Sequence, residues 1–147
     1  MAIQPASMHI EAVLELLSEG YAVRFRAGGQ SMHPTIKDGE MITVEPVTAP
    51  AVKRGDIVLY RSKNGVIAHR VVRAQPASCE PRLILRGDAL TSSDSPVALE
   101  QVLGRVALVE RCGRSIKLAG GRARLVRAAR FYWSRLKARL NFATLKE

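Results

Sequence analysis

The chain has 147 residues, 47% of them hydrophobic and 5% aromatic, and a formal net charge of +10. This length accommodates one domain with a hydrophobic core, and the hydrophobic fraction excludes a disordered or low-complexity chain. Two cysteines, Cys79 and Cys112, are too few for a disulfide framework, and no C-x-x-C motif or cluster of histidine and cysteine indicates a metal site.

Residues 1–20 are predicted to form an N-terminal helix. Ser7 is a suitable cap, and Gly20 is a suitable stop because glycine readily adopts the conformation that ends a helix. Between them, apolar residues recur at helical spacing at Ile10, Val13, Leu14 and Leu17. The helix therefore has one face to bury against the rest of the domain.

Residues 21–118 are predicted to form an antiparallel, barrel-like β-domain. From Tyr21 to Ala27, apolar and polar residues alternate as they do in a half-buried strand. Further segments are interpreted as strands, namely Met41–Glu45, Asp56–Arg61, Val66–Arg73, Arg82–Arg86 and Gln101–Glu110. Turn signals separate them, and Asn64-Gly65 is typical of a hairpin. Short strands without intervening helices indicate a mainly β fold.

Most of the excess positive charge lies near the C-terminal end of the sequence. Residues 121–147 carry eight basic groups and one acidic group, whereas residues 1–120 carry 15 and 12. A basic amphipathic helical tail is predicted over residues 119–147 from a stripe of apolar residues, at Leu125, Ala129, Tyr132, Leu136 and Leu140.

Three roles for this tail stay open. Its apolar stripe can pack on the β-domain, residues 122–142 can lie on an anionic membrane surface, or the basic groups can contact nucleic acid. Nucleic acid is the least favoured partner, because the rest of the chain has no recognisable DNA-reading helix pair and a run of charge is usually solvated.

Polar residues on separate predicted β elements are candidates for nucleophilic catalysis. Ser31 follows the first strand in a loop with two glycines, His69 lies within a strand, and Asp88 and Asp94 follow a later strand. A serine is a poor nucleophile unless a base takes its proton, and the base needs a partner that fixes its tautomer. Taken singly, each residue is more simply a turn or core residue; together they are the set that a serine hydrolase uses.

Several motifs occur in the order in which type I signal peptidases have them. They are Ser31-Met32-His33-Pro34-Thr35, Lys37-Asp38-Gly39-Glu40, Arg54-Gly55-Asp56-Ile57-Val58, His69-Arg70-Val71-Val72 and Gly87-Asp88. The chain resembles this family over about residues 23–110. It is similar to the archaeal and endoplasmic-reticulum branch, because His69 stands where the familiar bacterial enzymes have a lysine base.

The resemblance implies an all-β catalytic fold that acts through Ser, His and Asp without a cofactor or metal. Ser31 is then the nucleophile and His69 the general base. Asp94 is the preferred partner of His69 and Asp88 the alternative, although Asp88 can instead shape its loop. The backbone N–H of Ser31 is the expected donor to the oxyanion.

The loop around the serine supplies the candidate substrate-binding residues, which are Met32, Gly29 and Gln30. Met32 is either a wall of the substrate site, which the resemblance favours, or a core residue. Some relatives carry a hydroxyl two residues before the nucleophile, where this chain has Gly29, so that donor is absent. His33 is a minor alternative base, because it lies only two residues from Ser31.

The expected function is that of a serine endopeptidase that removes a leader or propeptide from a peptide or preprotein substrate through an acyl-enzyme. The alternative is a catalytically silent peptide-binding or membrane-surface module with the same fold. A self-cleaving repressor of the same clan fits poorly, because it would use a lysine base and a DNA-binding head of some 60 residues, and only about 20 residues precede the first strand.

The family normally carries a transmembrane anchor and a large second domain, and the sequence shows neither. The longest uncharged runs span ten residues, whereas a membrane-spanning helix needs about 20 apolar residues. We therefore expect a minimal catalytic core that is cytoplasmic, or peripheral at the inner face of the membrane.

Overall fold

The computed structural model describes residues 10–63, 65–75 and 80–118. Within these ranges, helix α1 spans Ile10–Ser18, and short 3-10 helices span Ala49–Ala51 and Leu99–Gln101. Eight strands account for most of the remainder: β1 Val23–Arg26, β2 Met41–Glu45, β3 Ile57–Ser62, β4 Gly65–Gln75, β5 Arg82–Arg86, β6 Val97–Ala98, β7 Val102–Arg111 and β8 Arg114–Lys117. The prediction of a mainly β fold is confirmed.

The strands form one sheet in the order β1-β2-β7-β3-β4-β5-β6, with β8 paired to β7, and the pairs are antiparallel. β2 runs along one edge of β7, while β3 and β8 share the other edge. Within the described residues β1 and β6 do not pair with each other, so the barrel-like sheet is open rather than closed. These end strands are only four and two residues long, which leaves few backbone groups for closure.

Hydrophobic clusters cover both faces of β3. Ile57 and Leu59 belong to one cluster, and Val58 and Tyr60 belong to the other, because successive side chains of a strand point to opposite faces. The second cluster is completed from β4, β5 and β6 by Val71, Leu83, Leu85 and Val97. A strand buried on both faces is a firm support for groups on its neighbour β4.

The helix and strands differ from the predictions mainly at their ends. The apolar face of α1 packs against the first cluster, with Leu17 buried in it. β2 and β5 have the predicted bounds. The first strand begins at Val23 rather than Tyr21, whose ring is 60% exposed.

β6 and β8 were not predicted, because neither segment contains a run of alternating apolar and polar residues long enough to indicate a strand. β6 is only two residues long, and all four residues of β8 are exposed. The predicted hairpin is present, since β3 and β4 pair as far as Ser62 and Gly65.

Several predictions fall outside the described residues. They concern residues 1–9, Asn64, Cys79 and the basic tail over residues 119–147, including its membrane-binding stretch. Among the residues that the structure does describe, no helix has the length and apolar character needed to cross a membrane.

Candidate active site

Ser31 lies in the loop that joins β1 to β2. Backbone hydrogen bonds between Ala27 and both Gly39 and Glu40 close the base of this loop. Gly29 has a φ of +96°, a conformation that other residues rarely adopt, and its N–H donates to Asp38 Oδ1 at 2.7 Å. The glycine therefore sets the direction of the chain two residues before the serine hydroxyl.

The backbone of Ser31 is fixed on its carbonyl side. The Ser31 carbonyl accepts a hydrogen bond from the N–H of Ala89 at 2.9 Å, which ties this loop to the loop between β5 and β6. In the described part of the chain, the N–H of Ser31 donates no hydrogen bond. That N–H is therefore free to bind an oxygen close to the hydroxyl.

His69 brings the predicted serine and one of the two predicted aspartates together. Its side chain, on β4, is 2% exposed. Nε2 lies 3.1 Å from Ser31 Oγ, and Nδ1 lies 2.6 Å from Asp94 Oδ2. Asp94 is in the loop after β5, where its own N–H donates to the carbonyl of Leu85 at 2.8 Å. Residues that are 25 and 38 positions from His69 thus meet at its two ring nitrogens.

This arrangement can activate a hydroxyl. A carboxylate accepts hydrogen bonds but cannot donate them, so the contact with Asp94 places a proton on Nδ1 of neutral His69. Nε2 then carries a lone pair directed at the Ser31 hydroxyl, at a distance suited to proton transfer. The geometry is that of a nucleophile, a general base and a group that orients the base.

Asp88, the alternative partner of His69, binds Arg70 and Thr35 instead of the imidazole. Its Oδ1 accepts from Arg70 Nε at 2.7 Å, and its Oδ2 accepts from Arg70 Nη2 and from Thr35 Oγ1. Arg70 also donates to the carbonyl of Gly55 at 2.9 Å. Asp88 therefore ties its loop to β4 and to the segment after the serine, as the loop-shaping alternative supposed.

A second arginine holds the same segment from β7. Arg111 is paired with the carboxylate of Glu40 and donates to the carbonyls of Pro34 and Thr35, both at 3.2 Å. The hydrogen bonds from Arg111 lower the pKa of the Glu40 carboxyl, and the Glu40 carboxylate in turn raises the pKa of Arg111. The chain between Ser31 and β2 is thus anchored at several points.

Gly87 contributes by having no side chain. A Cβ at this position would lie 2.5 Å from the carbonyl oxygen of Ser31 and 3.0 Å from Nε2 of His69. Sequence reasoning placed Gly87 in a motif but gave it no role. The close approach of the two loops requires a glycine here, because a Cβ at 2.5 Å from a backbone oxygen cannot be accommodated without a shift of the chain.

Tyr60 is a further residue that the sequence did not single out. Its hydroxyl donates to Asp94 Oδ2 at 3.1 Å, and its side chain is 3% exposed. Burial, and then the nearby Asp94 carboxylate, raise the pKa of Tyr60, so that its hydroxyl stays protonated. Its position in an apolar strand gave no sign of this polar contact.

The remaining predicted residues have different surroundings. Met32 is 5% exposed and lies in the first hydrophobic cluster, so the structure agrees with the core interpretation rather than an open wall of a substrate site. Gln30 and His33 are exposed, and the N–H of His33 donates to the carbonyl of Gln30. Among the described residues, no group of three or more His, Cys, Asp or Glu is arranged to hold a metal ion.

A serine hydroxyl, a histidine and a carboxylate in hydrogen-bonded series on a β-sheet define a protein of the serine-peptidase type. The comparison with protein families agrees: a family model described as peptidase S24-like matches residues 2–82, and the chain belongs to that family. The matched region includes Ser31 and His69 and ends before Asp94. No curated protein matches the chain.

Proposed function

We propose that the protein is a serine endopeptidase of the signal-peptidase type, which removes a leader or propeptide from a peptide or preprotein. The observation that carries this proposal is the continuous contact from Ser31 Oγ through the imidazole of His69 to Asp94, at 3.1 and 2.6 Å. Membership of the peptidase S24-like family supports the same class of chemistry.

The mechanism follows from these contacts. Ser31 Oγ attacks the scissile carbonyl carbon while His69 Nε2 accepts the hydroxyl proton, and Asp94 stabilises the imidazolium that forms. The N–H of Ser31, which donates to no other described residue, stabilises the oxyanion. The imidazolium then gives its proton to the leaving amine, the C–N bond breaks and an ester forms on Ser31. Water, deprotonated by the same imidazole, hydrolyses the ester and restores the hydroxyl.

The resemblance to the Ser-His-Asp branch of signal peptidases supports the finer assignment. The group that meets the serine hydroxyl is an imidazole, at the position where the bacterial enzymes have a lysine. One carboxylate, one imidazole and one hydroxyl are sufficient for the proton transfers. The mechanism therefore requires no lysine.

The unpaired edge of β1 is the proposed site for the substrate backbone. β1 pairs only with β2 among the described strands, and it leads directly into the loop that carries Ser31. An extended peptide can add to such an edge through main-chain hydrogen bonds. Its scissile bond would then lie at the end of the strand, where the serine hydroxyl is.

Cleavage of a synthetic Ala-rich leader peptide, followed by mass spectrometry, tests the proposal. We expect cleavage by the wild type, a complete loss in Ser31→Ala, and wild-type rates in the control Ser115→Ala, since Ser115 is exposed on β8. If the wild type and Ser31→Ala behave alike with this peptide and with a fluorophosphonate probe, the proposal of an enzyme is rejected. The protein is then a catalytically silent peptide-binding module.

Variants of His69, which is near Ser31 in space, and of His33, which is near it in sequence, test which histidine is the general base. His69→Gln removes the base and is expected to lower the cleavage rate by about 1,000-fold or more. His33→Ala changes an exposed side chain only two residues from Ser31 and is expected to leave the rate unchanged. The reverse result would transfer the role of general base to His33.

A further inference from the structure

Tyr60 presents one polar atom in an otherwise apolar environment. It belongs to the cluster that includes Val58, Val71 and Leu85, and its side chain is 3% exposed. A buried tyrosine hydroxyl requires a hydrogen-bond partner. The partner here is Oδ2 of Asp94, at 3.1 Å.

The same carboxylate oxygen serves two donors. Asp94 Oδ2 accepts from Tyr60 and also lies 2.6 Å from Nδ1 of His69. Tyr60 and His69 are diagonal neighbours on β3 and β4, since Tyr60 pairs with Ile67 and His69 with Val58. Their ring centroids are 6.3 Å apart, so the two donors approach Oδ2 from adjacent strands.

A second contact on the Asp94 carboxylate matters because of where Asp94 lies. It lies in a loop, its side chain is 23% exposed, and its backbone is held by one hydrogen bond to Leu85. An aspartate in this position can rotate towards water unless its carboxylate is held. Tyr60 lies on a strand that is buried on both faces, so its hydroxyl is a fixed point for the carboxylate.

We propose that Tyr60 is a positioning residue that holds Asp94 in the orientation in which it binds His69. The inference rests on the proposed peptidase function and deepens it. Within the described residues the Tyr60 hydroxyl contacts Asp94 rather than the hydroxyl of Ser31, so it acts through Asp94. Because the Tyr60 hydroxyl stays protonated, it remains a hydrogen-bond donor. It therefore replaces a hydrogen bond that the Asp94 carboxylate would otherwise accept from water.

Tyr60→Phe is the appropriate variant, because it keeps the buried ring and removes only the hydroxyl. We expect the second-order rate of Ser31 labelling by a fluorophosphonate to fall by about tenfold. Tyr21→Phe is the matched control, since Tyr21 is 60% exposed, and it should label at the wild-type rate. A wild-type rate in Tyr60→Phe would overturn the proposal.

A double-mutant cycle separates positioning from packing. If Tyr60 acts through Asp94, then Tyr60→Phe should cause no further loss of labelling in an Asp94→Ala background. A loss of the same size in both backgrounds would show that the hydroxyl stabilises the fold or the serine loop directly, and the proposal would be rejected.

A spectroscopic readout keeps this test independent of the peptidase proposal. The Nδ1 proton that His69 shares with Asp94 gives a downfield proton resonance. In Tyr60→Phe this resonance should move upfield and weaken, because the carboxylate is no longer held by Tyr60 and spends less time on Nδ1; a shift further downfield would contradict the positioning role. It should not move in Tyr21→Phe. Failure of Ser31 to label in the wild type contradicts the peptidase function, whereas an unmoved resonance contradicts the role of Tyr60.

Discussion

Arg70 binds Asp88 through two guanidinium nitrogens, with Nε 2.7 Å from Oδ1 and Nη2 in contact with Oδ2. Its neighbour His69 binds a different carboxylate, Asp94. Successive residues of a strand point to opposite faces, so one face of β4 carries the contacts of His69 with Ser31 and Asp94, and the other holds the surrounding loops. The two aspartates of one loop therefore have separate tasks.

The ion pair on the second face is expected to be structural. Arg70 and Asp88 side chains are 20% and 16% exposed, so the loss of one partner leaves a partly buried charge. Asp88→Ala should lower the free energy of unfolding by about 2 kcal/mol in urea denaturation. Glu80→Ala is the control, because its pair with Arg82 is exposed, and it should cost less than about 1 kcal/mol. Equal losses in the two variants would contradict this division of tasks.

Gly87 is expected to be required for activity, because a side chain at this position would be too close to Ser31 and His69. In Gly87→Ala, the new Cβ forces the Ser31 carbonyl and the His69 ring apart. We expect the labelling rate per folded molecule to fall by about 100-fold, because small displacements at a reacting centre are costly.

The control for this variant is a glycine that is equally crowded but belongs to another part of the sheet. A Cβ at Gly104 would lie 2.7 Å from Val44 Cγ1 and 2.8 Å from the carbonyl of Glu45. Gly104→Ala should lower the melting temperature without lowering the labelling rate of the folded fraction. If both alanine variants lose stability and both keep their labelling rate, contact distance at Gly87 does not govern the site.

Stability is expected to depend on pH through Glu40. Arg111 holds the pKa of the Glu40 carboxyl below its usual value, so the pair stabilises the folded state at neutral pH. This contribution is lost as pH falls through the lowered pKa, when the carboxylate takes up a proton. Glu40→Gln should therefore cost about 1–2 kcal/mol at pH 7 and much less near pH 3.

Urea denaturation of wild type and variant at the two pH values measures this difference. Glu45→Gln is the control, since Glu45 is the exposed last residue of β2, the strand that begins directly after Glu40, and it should show little effect at either pH. A cost for Glu40→Gln that is equal at pH 7 and pH 3 would show that the Glu40–Arg111 pair does not stabilise the fold through its charge.

Binding of residues 122–142 to an anionic membrane surface stays a prediction. The full chain should co-sediment with vesicles that contain phosphatidylserine and not with phosphatidylcholine vesicles. Replacing both Arg127 and Arg130 by alanine should weaken this binding. The same change at Lys63 and Arg73, which are exposed in the β-domain, should have no such effect. Equal binding by all three proteins would contradict a role for the tail.

The fold was predictable where burial alternates along the chain. β2 alternates buried Ile42 and Val44 with less buried neighbours, and its bounds were predicted correctly. β8 has no buried residue, so its pairing with β7 leaves no hydrophobic pattern to detect. The openness of the sheet depends on which strands meet at its ends, and local periodicity contains no information on that.

The candidate site was predictable as a set of residues but not as a set of contacts. Motif order pointed to Ser31 and His69, and two acidic residues remained for the third position. The path of the loop after β5 places Asp94 at the imidazole and Asp88 at Arg70. That path could not be predicted from the motifs. Tyr60 was not predicted, because it lies in a strand of mostly apolar residues. Its hydroxyl meets Asp94 only after the loop that follows β5 has packed against that strand.

The most direct test of the central claim is to map the residue that reacts with a fluorophosphonate by mass spectrometry of the intact and digested protein. We expect a single adduct on Ser31 in the wild type and almost none in folded His69→Gln. An adduct that forms equally well without the imidazole, or that lies on another residue, would contradict the claim that His69 activates this serine.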